Sequence, residues 1–312
     1  MTKVILVTGA TGKQGGSVVD KLLERDADVE ILAVTRDASS NGAQKLKSKS
    51  SKIKLVQCSL DEPEAIFASA KQVTSQPIWG VFSVQVPVLT ASVQEAEERQ
   101  GKILVDAALK NDVKFFVYSS VDRGGDASYE TTTDVPHFIS KHNIEHHLVE
   151  KTRGTDMIWT ILRPVAFLDA FSPDFTGKFF TTTWKTVVRH KKFQTICLSD
   201  IGFFATEAFL NPDEWKNKFL SLAGDSLTFE EMSKIFYAKI GRSVPTTFGF
   251  ICTFALWWLP DFGKMFHWFY NSGFGPDIPA LRRMQPGLKN FETWLETESA
   301  FVTKYWVQVD ME

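Results

Sequence analysis

Short apolar runs alternate with amphipathic stretches over the first 165 residues of the chain. Six short apolar runs predict buried strands, at residues 4–8, 29–35, 53–58, 80–84, 115–119 and 158–162. Between them, apolar residues spaced three or four apart predict helices that pack on a sheet, at residues 17–25, 63–70, 92–110 and 135–151. Because the crossovers are long, the strands are predicted to run parallel with right-handed connections.

This alternation predicts an α/β fold, a doubly wound parallel sheet of the Rossmann type with helices on both faces. After Pro164 the pattern loosens into short segments, and Thr228 with Glu231 has the spacing of a capping box that starts a helix. We therefore predict a Rossmann domain at residues 1–165 and a smaller α+β C-terminal region at residues 166–312. Some later segments are expected to return to the first domain.

A glycine-rich turn lies between the first strand and the first helix, where a phosphate-binding loop is required. Gly9 permits a tight exit from the strand, Gly12 lets the backbone approach a diphosphate, and Gly15 lets the helix pack closely on the sheet. The start of the helix then presents unpaired N–H groups to the anion. We predict a dinucleotide site with contacts from Gly9, Ala10, Thr11, Gly12, Lys13, Gln14 and Gly15.

The residues that follow the second and third strands indicate which dinucleotide binds. An NAD site usually ends its second strand with an acidic residue that binds the ribose, whereas Arg36 stands there in this chain. A guanidinium suits a 2′-phosphate that a carboxylate would repel. Arg36 therefore favours NADP(H) over NAD(H), and the adjacent Asp37 argues against it. Asp61 is expected either to accept from the adenine amino group or to cap the next helix.

Composition and charge exclude several classes of function. The net charge of −2 provides no overall field for nucleic acid or an anionic membrane. The longest apolar run, residues 248–259, is far shorter than the roughly 20 residues that a membrane span needs. Three widely spaced cysteines, Cys58, Cys197 and Cys252, form no metal-binding pattern and indicate buried, reduced thiols. We expect a soluble, cytoplasmic protein that binds no nucleic acid, membrane or metal.

Several motifs together resemble the NmrA-like group of atypical short-chain dehydrogenases/reductases. They are the loop at residues 8–18, Thr35-Arg36, residues 99–102, residues 118–120, His137-Phe138-x-Ser140-Lys141, Leu162-Arg163-Pro164-x-x-Phe167 and Phe291-x-x-Trp294-Leu295. The group includes fungal regulators that sense redox state without turning the dinucleotide over, and reductases, some of them in fungal specialised metabolism.

The resemblance spans nearly the whole chain and implies a Rossmann domain, a small C-terminal domain and a substrate cleft between them. It implies further cofactor contacts from Val84, Gln85, Val86, Arg99, Lys141, Pro164, Val165, Ala166 and Phe167. The last four residues of that set would lie beside the nicotinamide. Together with the glycine loop and Arg36, they make NADP(H) the expected cofactor.

Lys141 is the main catalytic candidate, but the usual acid of the group is missing. Active short-chain reductases carry a Tyr four residues before the Lys, on the same helix face, as the proton donor. This chain has His137 at that position. In one interpretation Lys141 acts alone, holding the ribose and relaying a proton. In a second, His137 replaces the Tyr as the acid, because imidazole titrates near neutral pH. In a third interpretation no donor is needed, as when hydride adds to a cationic iminium.

The sequence thus predicts an NADP(H)-dependent oxidoreductase that reduces a C=O, C=C or C=N bond of a hydrophobic, polycyclic or alkaloid-like small molecule. Fungal specialised metabolism and a coupled cyclisation of the product are included in this prediction. The substrate class rests on the aromatic-rich stretch at residues 248–270, which is expected to line a pocket for such a molecule, and fungal specialised metabolism is what the resemblance implies. The alternative is a non-catalytic NADP(H)-sensing regulator of the NmrA type, which would act through a protein partner.

Overall fold

The computed structural model describes residues 2–85 and 91–301. Its strands are β1 (Lys3–Val7), β2 (Val29–Thr35), β3 (Ile53–Gln57), β4 (Ile78–Ser83), β5 (Phe115–Ser119), β6 (Ile158–Pro164), β7 (Ala166–Phe167), β8 (Phe193–Ile196), β9 (Lys218–Leu222) and β10 (Asp225–Leu227). Its helices are α1 (Lys13–Glu24), α2 (Asn41–Lys47), α3 (Pro63–Val73), α4 (Ala91–Lys110), α5 (Pro136–Lys151), α6 (Phe175–Thr183), α7 (Leu198–Leu210), α8 (Pro212–Trp215), α9 (Phe229–Ile240), α10 (Gly249–Trp258), α11 (Pro260–Asn271), α12 (Ile278–Met284) and α13 (Phe291–Thr297).

Seven strands form one sheet in the order β3-β2-β1-β4-β5-β6-β9. The pairs β1–β2, β2–β3, β1–β4, β4–β5 and β5–β6 are all parallel. The chain moves outward from β1 to β3 and then returns to place β4 on the other side of β1. This reversal is the switch point at which open α/β sheets bind ligands. The predicted doubly wound Rossmann fold is confirmed.

The central strands are buried on both faces, as their apolar runs predicted. Ile5, Leu6 and Val7 in β1 have no accessible surface, and neither do Ile31 and Leu32 in β2. Burying an aliphatic side chain of this size contributes about 1.5–3 kcal/mol. Such strands require helices on both sides of the sheet, because each face must be covered by apolar side chains.

By compactness the chain divides into two units. The first comprises Met1–Val121, Pro136–Arg163 and Ile201–Leu220, and the second comprises Asp122–Val135, Pro164–Asp200 and Ser221–Glu312. The predicted domain division at residue 165 stays a prediction.

Helix α7 is the main later segment of the first unit. Its Phe209 ring stands edge-on to the ring of Phe115 in β5, with ring centroids 5.7 Å apart, and to the ring of Trp79 in β4, at 6.3 Å. These aromatic contacts fasten a helix from late in the chain onto the sheet.

The second unit is an α+β structure around a sheet in the order β10-β8-β7. Strand β8 pairs parallel to β7 and antiparallel to β10. Trp184 and Phe193 are buried in its core, with ring centroids 5.1 Å apart. The helix start predicted at Thr228 is confirmed, since Thr228 and Glu231 bond to each other's backbone N–H at the beginning of α9.

Candidate cofactor site

Two glycines determine the shape of the turn between β1 and α1. Gly9 adopts φ of +59°, and its carbonyl accepts a 2.9 Å hydrogen bond from the N–H of Gly12. A Cβ on Gly9 would lie 2.8 Å from Cγ1 of Val84, and a Cβ on Gly15 would overlap the backbone of Thr8 and Gly9. Only glycine fits at both positions, so the turn forms a tight cradle directly before the helix.

Helix α1 begins directly after this cradle. The helix begins after Gly12, a residue without a side chain that could cap it. The first four N–H groups of any helix lack partners within the helix, and together with the helix dipole they suit an anion. Thr11, Gly12 and Lys13 are exposed, whereas Ala10 is buried beneath them. The cradle and the open helix start fit a diphosphate.

Arg36 lies exposed directly after β2, beside a carboxylate that is engaged elsewhere. Oδ1 of Asp37 accepts bonds from the hydroxyl of Ser39 at 2.6 Å and from its backbone N–H at 2.8 Å. These bonds from Ser39 lower the pKa of Asp37. The carboxylate of Asp37 is thus engaged in a local turn with Ser39 and keeps its negative charge.

Asp61 and Arg99, predicted separately as cofactor contacts, form an ion pair with each other. Oδ1 of Asp61 lies 2.6 Å from Nη2 of Arg99 and accepts a 3.0 Å bond from the amide of Gln100. Ser59 donates to the other carboxylate oxygen. The hydrogen bond from Gln100, followed by those from Ser59 and Arg99, lowers the pKa of Asp61.

The interpretation of Asp61 as a helix cap is wrong. The N-cap position of α3 is occupied by Glu62. The carboxylate of Asp61 instead accepts a hydrogen bond from Arg99 on α4. That Asp61 and Arg99 contact the cofactor stays a prediction.

A buried acceptor lies just beyond β4, the strand on the other side of the switch point. Gln85 is 1% exposed; its amide nitrogen donates a 3.0 Å bond to the hydroxyl of Ser83. Its Oε1 has no hydrogen-bond partner among the described residues. An unpaired buried acceptor costs free energy, and a ligand donor would satisfy this one. Val84 is buried and packs on Gly9, while Val86 lies outside the described residues.

Lys141 is buried on α5 and turned toward the end of β5. Its Nζ lies 3.0 Å from Oε1 of Glu97 on α4 and 3.4 Å from the carbonyl oxygen of Ser119. The ring of Tyr118 lies 5.9 Å from the same nitrogen. Sequence reasoning missed Glu97, because nothing in the pattern of α4 shows which of its charged residues faces inward.

His137 lies one turn before Lys141 and is held in the neutral form. Burial, with the nearby charge of Lys141 as a second cause, lowers the pKa of His137 from 6.5 to about 4. Its Nδ1 is buried and has no hydrogen-bond partner among the described residues. A neutral imidazole is a much weaker acid than an imidazolium, so at pH 7 this site disfavours His137 as the proton donor.

The residues from Pro164 to Phe167 belong to the second unit. Val165 is buried and donates a 3.1 Å backbone bond to Leu222, while Ala166 and Phe167 form β7 and pair with β8. That these four residues line the nicotinamide stays a prediction.

The aromatic stretch at residues 248–270 divides into a buried and an exposed part. Phe266, Trp268 and Phe269 are buried in the core of the second unit. By contrast, five aromatic side chains in and beside α10 are between 61% and 74% exposed: Phe248, Phe250, Phe254, Trp257 and Trp258. That the exposed rings line a substrate pocket stays a prediction, whereas Phe266, Trp268 and Phe269 are core residues of the second unit.

Comparison with known proteins places this architecture in a family, since the NmrA-like family profile matches residues 1–264. The chain belongs to the NmrA-like family. The NmrA-like oxidoreductase lnaB of Aspergillus flavus is 27% identical over 262 residues, which cover 77% of this chain and 74% of its own. The NmrA-like oxidoreductase ptmS of Penicillium ochrochloron is 26% identical over 258 residues, with the same two coverages of 77% and 74%.

Two solved structures share the fold of this NmrA-like chain at low sequence identity. Triphenylmethane reductase of Citrobacter sp., solved with NADP(H), has a TM-score of 0.70 and 17% identity, and the match covers 93% of this chain and 98% of the reductase. NmrA, a negative transcriptional regulator solved with NAD, has a TM-score of 0.67 and 15% identity, with coverages of 99% and 98%. The fold thus occurs in an enzyme and in a regulator.

The residues of this NmrA-like chain fit a nicotinamide dinucleotide. The glycine cradle suits the diphosphate. The orphaned oxygen of Gln85 lies just beyond the end of β4, and the buried ammonium of Lys141 lies beside the end of β5. Within residues 2–85 and 91–301, no group of three or more His, Cys, Asp or Glu side chains could hold a metal. Over the same residues, no helix combines the length and the apolar character needed to cross a bilayer.

Proposed function

We propose that this NmrA-like protein is an NADP(H)-dependent oxidoreductase. The observation that carries the choice of NADP(H) is Arg36, exposed at the end of β2, with the adjacent Asp37 bound to Ser39. A guanidinium free to approach the ribose favours a 2′-phosphate by charge and by paired hydrogen bonds. The names of the fungal relatives, which describe oxidoreductases, support an enzyme.

The chain's own residues hold the cofactor and supply the proton. The chemistry that NADPH would supply when bound is a hydride for the substrate carbon. Lys141 holds the nicotinamide ribose through its ammonium and, for a C=O substrate, transfers one proton to the oxygen that gains the electron pair of the broken π bond. The lysine then recovers a proton from solvent. An iminium carbon needs only the hydride, so Lys141 would serve there in binding alone.

The substrate proposed is a hydrophobic small molecule with flat, apolar surfaces. The exposed aromatic side chains of α10 and Phe248 support this class, because aromatic rings bind flat apolar ligands by stacking and edge-on contacts. A polycyclic or alkaloid-like compound of fungal specialised metabolism fits that description. A cyclisation that follows the reduction, and a cytoplasmic location, remain part of the same proposal.

A titration of the purified protein with NADPH and with NADH tests this function. The expected result is clearly tighter binding of NADPH, followed by oxidation of NADPH when polycyclic ketones, enones or cyclic iminium salts are added. Equal affinity for the two dinucleotides would remove the basis for NADP(H). Binding without oxidation over a broad panel of these compounds would oppose the enzyme.

The second candidate function is a redox-sensing regulator. The observation that favours it is the neutral His137 at the position where active short-chain reductases carry their Tyr, and one structural neighbour is a transcriptional regulator. Such a protein would bind NADPH and NADP⁺ with different consequences for a protein partner. A partner recovered with the purified protein in the presence of only one redox form of the cofactor would support the sensor.

A further inference from the structure

Glu97 is a buried carboxylate that faces the predicted catalytic lysine. It lies on α4, and its side chain is 1% exposed, while that of Lys141 on α5 is 7% exposed. The distance of 3.0 Å between Oε1 and Nζ makes the two side chains a buried ion pair. Burial of two charges is unfavourable unless they pair well, so each of these groups depends on the other for its place in the fold.

Close packing of the two helices brings this pair together. Gly101 follows Glu97 by one helical turn, and Ile144 follows Lys141 by nearly one turn. A Cβ on Gly101 would overlap the side chain of Ile144. Because glycine leaves that space to Ile144, α4 and α5 approach closely at this level. The carboxylate of Glu97 therefore meets the ammonium of Lys141 in the protein interior.

The surroundings of the ammonium restrict its direction. A lysine ammonium has three N–H donors. The carbonyl oxygen of Ser119 accepts from one of them at 3.4 Å, and Oε1 of Glu97 lies 3.0 Å from the nitrogen as an ion-pair partner outside hydrogen-bond geometry. The ring of Tyr118, 5.9 Å away, covers another side of the nitrogen. The ammonium is therefore held between a carboxylate and a carbonyl oxygen before any ligand binds, and it keeps N–H donors for a ligand.

We propose that Glu97 is the positioning residue of Lys141 and holds its ammonium in place by charge, so that one of its N–H groups meets the nicotinamide ribose. This inference rests on the proposed function, since it assumes that Lys141 contacts that ribose. Glu97 acts through the lysine and does not itself touch the cofactor. Its effect is therefore confined to the nicotinamide half of the dinucleotide.

The adjacent Glu98 offers a matched control. Its carboxylate pairs with Lys102 at 2.5 Å and accepts from Asn143 at 2.8 Å, and its side chain is 26% exposed. The substitution Glu98→Gln therefore makes the same chemical change, one residue along the same helix, in a half-buried pair that does not include Lys141. It is expected to leave the binding of every ligand as in the wild type.

The test compares Glu97→Gln, Glu98→Gln, Lys141→Met and the double variant of Glu97→Gln with Lys141→Met. Each protein is titrated with NADPH and with adenosine 2′,5′-bisphosphate, which lacks the nicotinamide ribose. We expect Glu97→Gln to weaken NADPH binding about fivefold to tenfold, and to change the affinity for the bisphosphate less than about twofold. The double variant should bind NADPH as Lys141→Met alone does, because a positioning residue has no effect without the residue it positions.

Three results would overturn the inference. Equal weakening of both ligands by Glu97→Gln would show a general structural role. Additive losses in the double variant would show that Glu97 acts independently of Lys141, and an unchanged NADPH affinity would show that it has no role. Failure of the wild type to bind either ligand would instead refute the proposed function and the inference with it.

The substitution of Glu97 leaves a buried ammonium opposite a neutral amide, and this variant has the greatest risk of misfolding. Glu97→Asp keeps the charge and shortens the side chain by one methylene, so it provides a folded alternative. It is expected to weaken NADPH binding by an intermediate factor and to leave binding of the bisphosphate unchanged. Full wild-type affinity of Glu97→Asp for NADPH would contradict a requirement for the 3.0 Å contact.

Discussion

The hydroxyl of Ser119 donates a 2.6 Å hydrogen bond to Oε1 of Gln14. This bond joins the last residue of β5 to the first turn of α1, where the diphosphate is expected to bind. The backbone carbonyl of the same serine lies 3.4 Å from Nζ of Lys141. Ser119 therefore contacts both the start of α1, through its hydroxyl, and Lys141, through its backbone carbonyl.

Replacement of Ser119 by Ala is expected to weaken NADPH binding about twofold to tenfold. A hydrogen bond of this kind contributes about 0.5–1.5 kcal/mol, and its loss lets the first turn of α1 move away from β5. The lysine contact is made by the backbone and survives the substitution. Titration with NADPH and a thermal unfolding curve check this, and unchanged affinity in the folded variant would contradict the role of the bond.

Replacement of Gly15 by Ala is expected to abolish dinucleotide binding and to destabilise the protein by about 1–3 kcal/mol. The added methyl group would overlap the backbone of Thr8 and Gly9, and backbone cannot move aside as a flexible side chain can. Gly42→Ala on α2 is the matched control, because nothing lies within 4 Å of its Cβ position. Denaturant unfolding and NADPH titration should separate the two variants. Similar behaviour of both would show that the close approach at Gly15 is unimportant.

The stability of the protein is expected to fall in acid through His137. Burial lowers the pKa of His137 from 6.5 to about 4, so the unfolded chain binds this proton more readily than the folded one. Stability from this group is therefore complete above pH 6.5 and is lost as the pH falls toward 4. The loss between pH 7 and pH 5 is about 2 kcal/mol.

Replacement of His137 by Phe removes that contribution. Urea unfolding of both proteins at pH 7 and pH 5 should show a smaller decrease for the variant, by on the order of 2 kcal/mol. The difference between the two proteins isolates His137 from other groups that titrate in this range. An equal decrease in both would mean that the imidazole is not held neutral in the folded state.

Cys197 is expected to resist alkylation in the native protein. Burial raises the pKa of Cys197 to about 12, and the hydrogen bond to Glu298 is a second cause of this shift. The thiolate is the reactive form, so iodoacetamide at pH 8 should leave this residue unmodified until the protein unfolds. Cys58 is only half-buried, contrary to the expectation of three buried thiols, and serves as the internal comparison. Mass spectrometry that finds Cys197 labelled in the native protein would contradict this environment.

The glycine loop and the sheet were predictable because they depend on local signals. An apolar run that ends in Gly9, followed by Gly12 and Gly15, has few other structural solutions, and β1, the loop and α1 follow from it. The same applies to the capping box at Thr228, which is a contact between residues three apart. In these places a short stretch of chain contains all the physical causes of its own conformation.

Contacts between distant elements were not predictable from the sequence. Asp61 and Arg99 are far apart in the sequence but form an ion pair in the fold. Glu97 is one of several acidic residues on α4, and only the packing of α4 against α5 determines that it faces inward. The stretch at residues 248–270 has so many apolar residues that its pattern does not show which side is buried. In the fold Phe266 is buried and Trp257 is exposed, because packing against other elements determines which side chains are covered.

The most direct test is a comparison of wild type with Arg36→Ala, each titrated with NADPH and NADH. We expect the substitution to weaken NADPH binding by about 1.5–3 kcal/mol, the value of a charge-assisted contact, and to leave NADH binding nearly unchanged. The preference of the wild type for NADPH should therefore largely disappear in the variant. Equal losses for both dinucleotides, or none for either, would contradict recognition of the 2′-phosphate by this residue.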